Sequence, residues 1–313
     1  MRAGLCFFFA AACAVFSARG DSVSTNAPHG DATIRGKFGE SEIVISTSAR
    51  FAGAIYSLKW NGREFIDSAD HGRELQSALN LDNAAAPIAD ETFNPTEAGS
   101  RDDGAGGISS SHLLFFRAEK DALQTVTQMA FWLAPGEKSG ANLARNQTVL
   151  SDHLLTKRVR IGYKNLPNVI RYDVTFALPV GEPHRQCVFE ALTGYMPAEF
   201  GKFRKFNPTT RALEPLADVP GEIAEPVVFS TGDDRHAMGI FAPPQSTPRM
   251  AGPTFGRFRF DWAKVVKWNC VFRLRDETEI APGDYSFRMF VILGDVKAVG
   301  ESLRALHEEF APH

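Results

Sequence analysis

Cysteine is scarce in this chain: it holds four among 313 residues. Two of them, Cys6 and Cys13, lie in the N-terminal apolar segment, which leaves Cys187 and Cys270 to the body of the protein. Two thiols are too few for a cysteine-built metal centre or a disulfide-dense scaffold. They are enough for a single bridge or for two free thiols, and spacing alone does not choose between these. An excess of one charge is lacking as well. Lys and Arg total 34 against 37 Asp and Glu, a net charge of −3, and the signs are mixed along the chain. There is no basic stripe to meet a phosphate backbone, which argues against nucleic acid as a partner. No apolar run reaches the roughly twenty residues that cross a bilayer, so no transmembrane segment is expected. Also missing are a Gly-Xaa-Ser-Xaa-Gly elbow, a phosphate loop, a His-Glu-Xaa-Xaa-His zinc helix and a dinucleotide fingerprint. On this reading no metal and no other cofactor is expected.

What is present begins with an export signal. Met1-Arg2 supplies a basic tip, an apolar stretch runs from Leu5 to Phe16, and Ala18 and Gly20 are the small residues that cleavage needs. Residues 1–20 read as a signal peptide, which implies a periplasmic or extracellular protein. The polar, Gly- and Pro-containing stretch 21–36 reads as a flexible lead-in, and 37–313 as one β-sandwich domain. With 44 % hydrophobic residues and 25 Phe, the chain can fill a core of that size.

The dominant pattern is alternation. Ala54, Tyr56, Leu58 and Trp60 alternate with their neighbours and run into Asn61-Gly62, a dipeptide that favours the positive φ of a tight hairpin turn. Similar runs recur at 113–116, 125–133, 155–161, 170–178, 225–229, 237–241, 255–260, 265–274 and 285–293. Many short strands with almost no helical periodicity argue for packed antiparallel sheets. The exception is the end of the chain, where Val296, Val299, Leu303, Leu306 and Phe310 keep a three-four spacing behind Asp295 as a cap. This predicts an amphipathic C-terminal helix.

Four long stretches without clear periodicity, 67–111, 134–152, 181–224 and 243–253, are where chemistry is expected, because loops of that length are commonly functional. Two of their segments, Asp70-His71-Gly72-Arg73-Glu74-Leu75-Gln76 and Phe93-Asn94-Pro95-Thr96-Glu97, bring acids, a base, an arginine and amides onto Gly- and Pro-pinned backbone. His71 and Glu97 are the expected catalytic pair, projecting into one cleft, with Glu190 as a further carboxylate. Arg73, Gln76, Asn94, Tyr195 and His236 are the expected substrate-binding residues. Hydroxyl-rich ligands suit such amides and carboxylates, and aromatic rings stack on the C–H faces of sugars.

The hairpin Gly53-Ala54-Ile55-Tyr56-Ser57-Leu58-Lys59-Trp60-Asn61-Gly62 and the late segment Glu279-Ile280-Ala281-Pro282-Gly283-Asp284-Tyr285-Ser286-Phe287 resemble the opening and closing strands of the galactose mutarotase-like superfamily. The resemblance implies an all-β fold, an antiparallel β-supersandwich with sugar chemistry on the concave face of one sheet. It does not extend to the His-Xaa-Tyr-Phe-Asn-type segment of mutarotases, which this chain lacks. The expected function is therefore an exported carbohydrate-active enzyme that cleaves a glycosidic bond as a hydrolase or lyase, with a carbohydrate as its partner. The alternatives are a non-catalytic sugar-binding or cell-envelope protein, or a sugar epimerase or mutarotase.

Overall fold

The structure, a computed structural model, describes residues 28–83 and 86–311. The signal segment and the start of the lead-in lie outside the described residues. The chain opens with a four-stranded meander, β1 (Ala32–Phe38), β2 (Ser41–Thr47), β3 (Ile55–Trp60) and β4 (Arg63–Glu64). Its last turn is the one expected: Asn61 and Gly62 sit at φ 48° and 73°, the left-handed values that an Asn-Gly pair accommodates. Strand β1 begins at Ala32, inside the stretch read as a lead-in, and pairs with β2 along its whole length.

The next strands are β5 (Gln76–Leu81), β6 (Pro95–Thr96), β7 (His112–Ala118), β8 (Ala122–Phe131), β9 (Lys138–Ser139), β10 (Asn142–Leu143) and β11 (Leu150–Tyr163). After them come β12 (Leu166–Leu178), β13 (Gln186–Pro197), β14 (Lys202–Asn207), β15 (Ala212–Pro215), β16 (Gly221–Ile223) and β17 (Val227–Ser230). The strands end with β18 (Ala237–Phe241), β19 (Met250–Phe260), β20 (Val265–Arg275) and β21 (Gly283–Gly294). Apart from the β9–β10 ribbon, these form one antiparallel sheet in the order β15-β14-β17-β18-β21-β12-β11-β8-β6-β5-β13-β20-β19-β16, with β7 beside β8. The sheet folds back on itself. Phe189 of β13 packs 4.9 Å from Phe287 of β21, and Phe272 of β20 packs 4.6 Å from the same ring, although these strands lie far apart in the sheet order. The meander adds Ile34, Ile45 and Leu58 to this shared core. The result is the expected all-β antiparallel sandwich.

The one α-helix among the described residues, α1 (Val296–Phe310), starts where Asp295 accepts a hydrogen bond from the Ala298 backbone N–H at 2.7 Å. Val299, Leu303 and Leu306 pack on Val169, Phe206, Val228, Phe241, Phe290 and Ile292. This is the face that the three-four spacing assigns to burial. No helix among the described residues is long and apolar enough to cross a membrane.

Two stretches read as irregular carry central strands. Segment 67–111 holds β5 and β6, and 181–224 holds β13 to β16. In β13 a register shift between Glu190 and Leu192 breaks the two-residue period, which is why alternation does not reveal that strand. Cys187 and Cys270 are both buried free thiols. They sit on adjacent strands but out of register, Cys187 opposite Leu274 and Cys270 opposite Leu192.

Candidate functional site

Strands β13 and β20 pair along most of their length, and their alternation sends one set of side chains inward and the other to the open face. Phe189, Leu192, Met196, Val266, Trp268 and Cys270 belong to the core. The bulge shifts the facing of the residues after it by one position, so that Glu190, Thr193 and Tyr195 share the outer face with Lys267 and Asn269. A regular strand would have placed Glu190 and Thr193 on opposite sides.

These side chains form a bonded group. Lys267 Nζ lies 2.8 Å from Glu190 Oε1, and Asn269 Nδ2 donates to the same oxygen at 3.1 Å. The Lys267 ammonium also stands 5.2 Å from the centre of the Tyr195 ring, within the range of a cation–π contact. Tyr195 stacks on Phe260 of β19 at 6.2 Å, and Phe260 meets Trp262 edge-on at 6.4 Å. Trp262 is 83 % exposed. On the far side, Gly256 lies opposite Asn269 in the ladder, and a Cβ there would collide with the Asn269 side-chain oxygen.

Electrostatics fix the protonation of this group. Burial pushes the Glu190 carboxyl up, but the Lys267 ammonium and hydrogen bonds from Lys267, Asn269 and Thr193 outweigh it and hold the group below its ordinary value. Burial pulls the Lys267 amine down, and Glu190 and then Tyr195 reverse that and raise it. Tyr195 is raised, first by burial. At neutral pH the face therefore presents a carboxylate, an ammonium, an amide and an un-ionised phenol beside a row of aromatic rings.

Of the expected site residues, Glu190 and Tyr195 belong to this group. His71 and Glu97 do not share a cleft. Both are fully buried. Each ring nitrogen of His71 faces a backbone carbonyl, Gly104 O and Arg50 O, at 2.8 Å, and the ring packs 4.8 Å from Phe51. Glu97 forms an ion pair with Lys157, itself fully buried, and accepts the Ser77 backbone N–H at 3.1 Å. Lys157 in turn donates to Gly53 O at 3.1 Å. Both residues thus hold the 3-10 turn Ala49–Phe51 and its exit, and neither has an atom left for a ligand.

Gln76, Asn94 and Arg73 are similarly engaged, whereas His236 has ring contacts but no hydrogen bond to either ring nitrogen. Gln76 is buried and its amide bonds His71 O, Glu74 and the Ala98 N–H. Asn94 donates to the Leu79 carbonyl. Arg73 is bound to Asp70 at 2.9 Å and to Asp67 at 3.5 Å, with 19 % of its side chain exposed. His236 packs against Trp60 and Phe65, and no hydrogen bond, ion pair or ring contact joins it to Glu190 or Tyr195.

Three further polar residues are missing from the expected set. Lys267 and Asn269 sit two apart in the otherwise apolar stretch 265–272 of β20, a spacing that places them on one face and is a usable signal in the sequence. Glu74 is fully buried with one carboxyl oxygen unpartnered, and burial drives its carboxyl well above the ordinary value. No local signal distinguishes it from the solvated acids around it.

No protein-family model matches the chain, and no curated protein matches it by sequence. Solved structures similar to it include a galactose mutarotase-like protein from Lactobacillus casei ATCC 334, at 11 % identity and a TM-score of 0.45, covering 84 % of this chain and 99 % of that one. A protein in the glycosyl hydrolase family 38 from Enterococcus faecalis is similar at 13 % identity and a TM-score of 0.49, over 91 % of this chain and 33 % of that one. A heparan sulfate lyase HepC mutant from Pedobacter heparinus is similar at 11 % and 0.42, over 87 % and 36 %. The chain therefore spans about a third of the length of the last two. At these values the likeness is one of strand arrangement and bears on no residue's role.

Proposed function

We propose that this protein binds a carbohydrate across the open face of β13, β20 and β19, and that it does so outside the cytoplasm. The observation that carries the reading is the unbroken run Trp262, Phe260, Tyr195, Lys267, Glu190 and Asn269. A pyranose offers apolar C–H faces and a rim of hydroxyls. Rings that end in a fixed carboxylate, ammonium and amide match both features.

Binding fits this geometry better than hydrolysis by the expected pair. A glycosidase places two carboxyl groups about 5 to 9.5 Å apart around the bond, and Glu97 lies in the core with its charge matched by Lys157. Elimination by Tyr195 would need a phenol that ionises readily, whereas burial raises this one.

The test is a screen of the mature protein against a polysaccharide panel, read by affinity, by new reducing ends and by absorbance of unsaturated products. The expected result is binding without products, weakened roughly tenfold or more by Tyr195→Ala and by Trp262→Ala. A panel with no binder, or variants that bind like the parent, overturns the reading. Products that vanish in Glu190→Gln would restore the enzyme.

A further inference from the structure

At the other end of β13 the core side of the sheet holds a group that the carbohydrate face does not use. His153, near the start of β11, is fully buried, and neither of its ring nitrogens has a hydrogen-bond partner. A buried imidazole with no hydrogen bond to either nitrogen is destabilising unless something fills the gap, and its one polar contact is a carboxylate beside Nε2. Facing it are Glu182 and His184 on the loop between β12 and β13. Glu182 Oε1 lies 3.3 Å from His153 Nε2 and 2.9 Å from His184 Nε2. One donor atom from each of the three falls within 4.8 Å of the others. A tetrahedral ion with bonds of about 2.0 to 2.1 Å holds its ligands about 3.3 Å apart.

The surroundings prepare these atoms for an ion. His184 Nδ1 lies 2.6 Å from the Asp82 carbonyl oxygen, which can only accept, so Nδ1 carries a proton; Nε2 stands 2.9 Å from the Glu182 carboxylate, which also only accepts, so the proton held there is given up when an ion takes its place. A carbonyl behind a histidine is the usual orienting partner of a metal ligand. The Asp82 carboxylate accepts the backbone N–H groups of Arg185 and Gln186 at 2.9 Å each, which fixes the loop that carries Glu182 and His184. Phe93 and Phe131 wall the histidine rings at 5.6 to 6.4 Å. The outer side is a cleft of about 560 Å³ lined in part by Gln128, Asn146, Ser151, Asp152, Glu182 and His184.

We propose that His153, Glu182 and His184 form a binding site for a first-row transition ion of the zinc type, with a fourth coordination position open to this cleft. Two imidazoles and one carboxylate suit zinc and its neighbours rather than calcium or magnesium, which take oxygen-rich sets.

The experiment uses the full mature chain, stripped with a chelator and titrated with Zn²⁺ alone by calorimetry, with elemental analysis and thermal melts of the loaded protein. The expected result is one Zn²⁺ per chain, an upward shift of the melting temperature that a chelator reverses, and no competition from excess Mg²⁺. His184→Ala should abolish binding. Glu182→Gln, at a side chain that is 31 % exposed and can be changed without emptying the core, should weaken it about tenfold or more. His153→Ala and His184→Ala each empty a buried position, so the decision rests on Glu182→Gln and on His184→Gln, which keeps most of the side-chain volume while removing the ring donor. Zinc bound equally by the parent and by both variants, or no zinc bound by the parent, overturns the proposal and leaves ordered water as the partner of His153. Neither outcome depends on the carbohydrate reading, because no glycan is present.

Discussion

Two glutamate–lysine pairs cross this sheet, and they are put to opposite uses. Glu97 and Lys157 meet on the core side, where neither shows any surface to water. Glu190 and Lys267 meet on the open face, each about one-fifth exposed. The first pair is closed: its remaining bonds go to the Ser77 N–H and the Gly53 carbonyl, and together they tie β5, β6 and β11 to the opening turn. The second borders an amide, a phenol and a row of rings. The same two residue types make a structural clamp where the dielectric is low and a ligand-ready group where water can still be displaced.

The largest effect should come from the buried pair. Lys157→Ala leaves Glu97 charged in the core and should lower the unfolding free energy by about 3 to 5 kcal/mol. Replacing both residues with apolar ones of similar volume, Glu97→Leu with Lys157→Met, should recover most of that loss. Denaturant melts read both, and a loss below about 1 kcal/mol for Lys157→Ala would remove the contrast between the pairs. Next in size is the helix. Leu303 is fully buried against β18 and β21, and Leu303→Ala should cost about 2 to 5 kcal/mol.

The open pair should respond in the reverse sense. Glu190→Gln should cost about 1 to 3 kcal/mol, less than the break in the core pair because about one-fifth of each side chain still meets water, yet remove most glycan affinity. Gly256→Ala sharpens the point without touching a charge. Its new methyl must displace the Asn269 amide and the edge of the Phe258 ring beside it, so binding should weaken while the Glu190–Lys267 pair stays. Equal losses of stability and affinity in Gly256→Ala would mean that the ladder itself, rather than the amide, has been disturbed.

The same contrast explains what the sequence could and could not reveal. Regular periodicity is legible, so the Asn61-Gly62 hairpin, the long strands β11, β12 and β21 and the helix behind Asp295 can all be read from it. Polarity alone does not say which side of a sheet a residue faces. His71 and Glu97 sit among glycines and prolines and read as loop chemistry, but each is matched by partners distant in sequence, the Arg50 carbonyl and Lys157. Glu190 and Tyr195 are visible as residues, while the bulge that puts them on one face depends on pairing with β20. His153 takes an inward position of β11 in line with Leu155 and Val159, as a core residue would, and only the fold brings Glu182 and His184 to it.

The smallest effect is a pH dependence, and it isolates the open pair most cleanly. The folded Glu190 carboxyl is held below its ordinary value of 4.5, so the folded state binds its proton less readily than the unfolded chain does. Its contribution to stability is fully present above the unfolded value and is lost as pH falls through the lowered folded value. Lys267 is raised and keeps its charge through that whole range, so one proton at Glu190 accounts for the change. The stability difference between the parent and Glu190→Gln should thus be constant from neutral pH down to about pH 5 and shrink below it. Unfolding curves of the two proteins at matched pH, at low and high salt, measure this directly. A difference that grows on acidification would mean that the carboxyl is stabilised in its protonated form. The ammonium 2.8 Å away would then not be the partner that holds it.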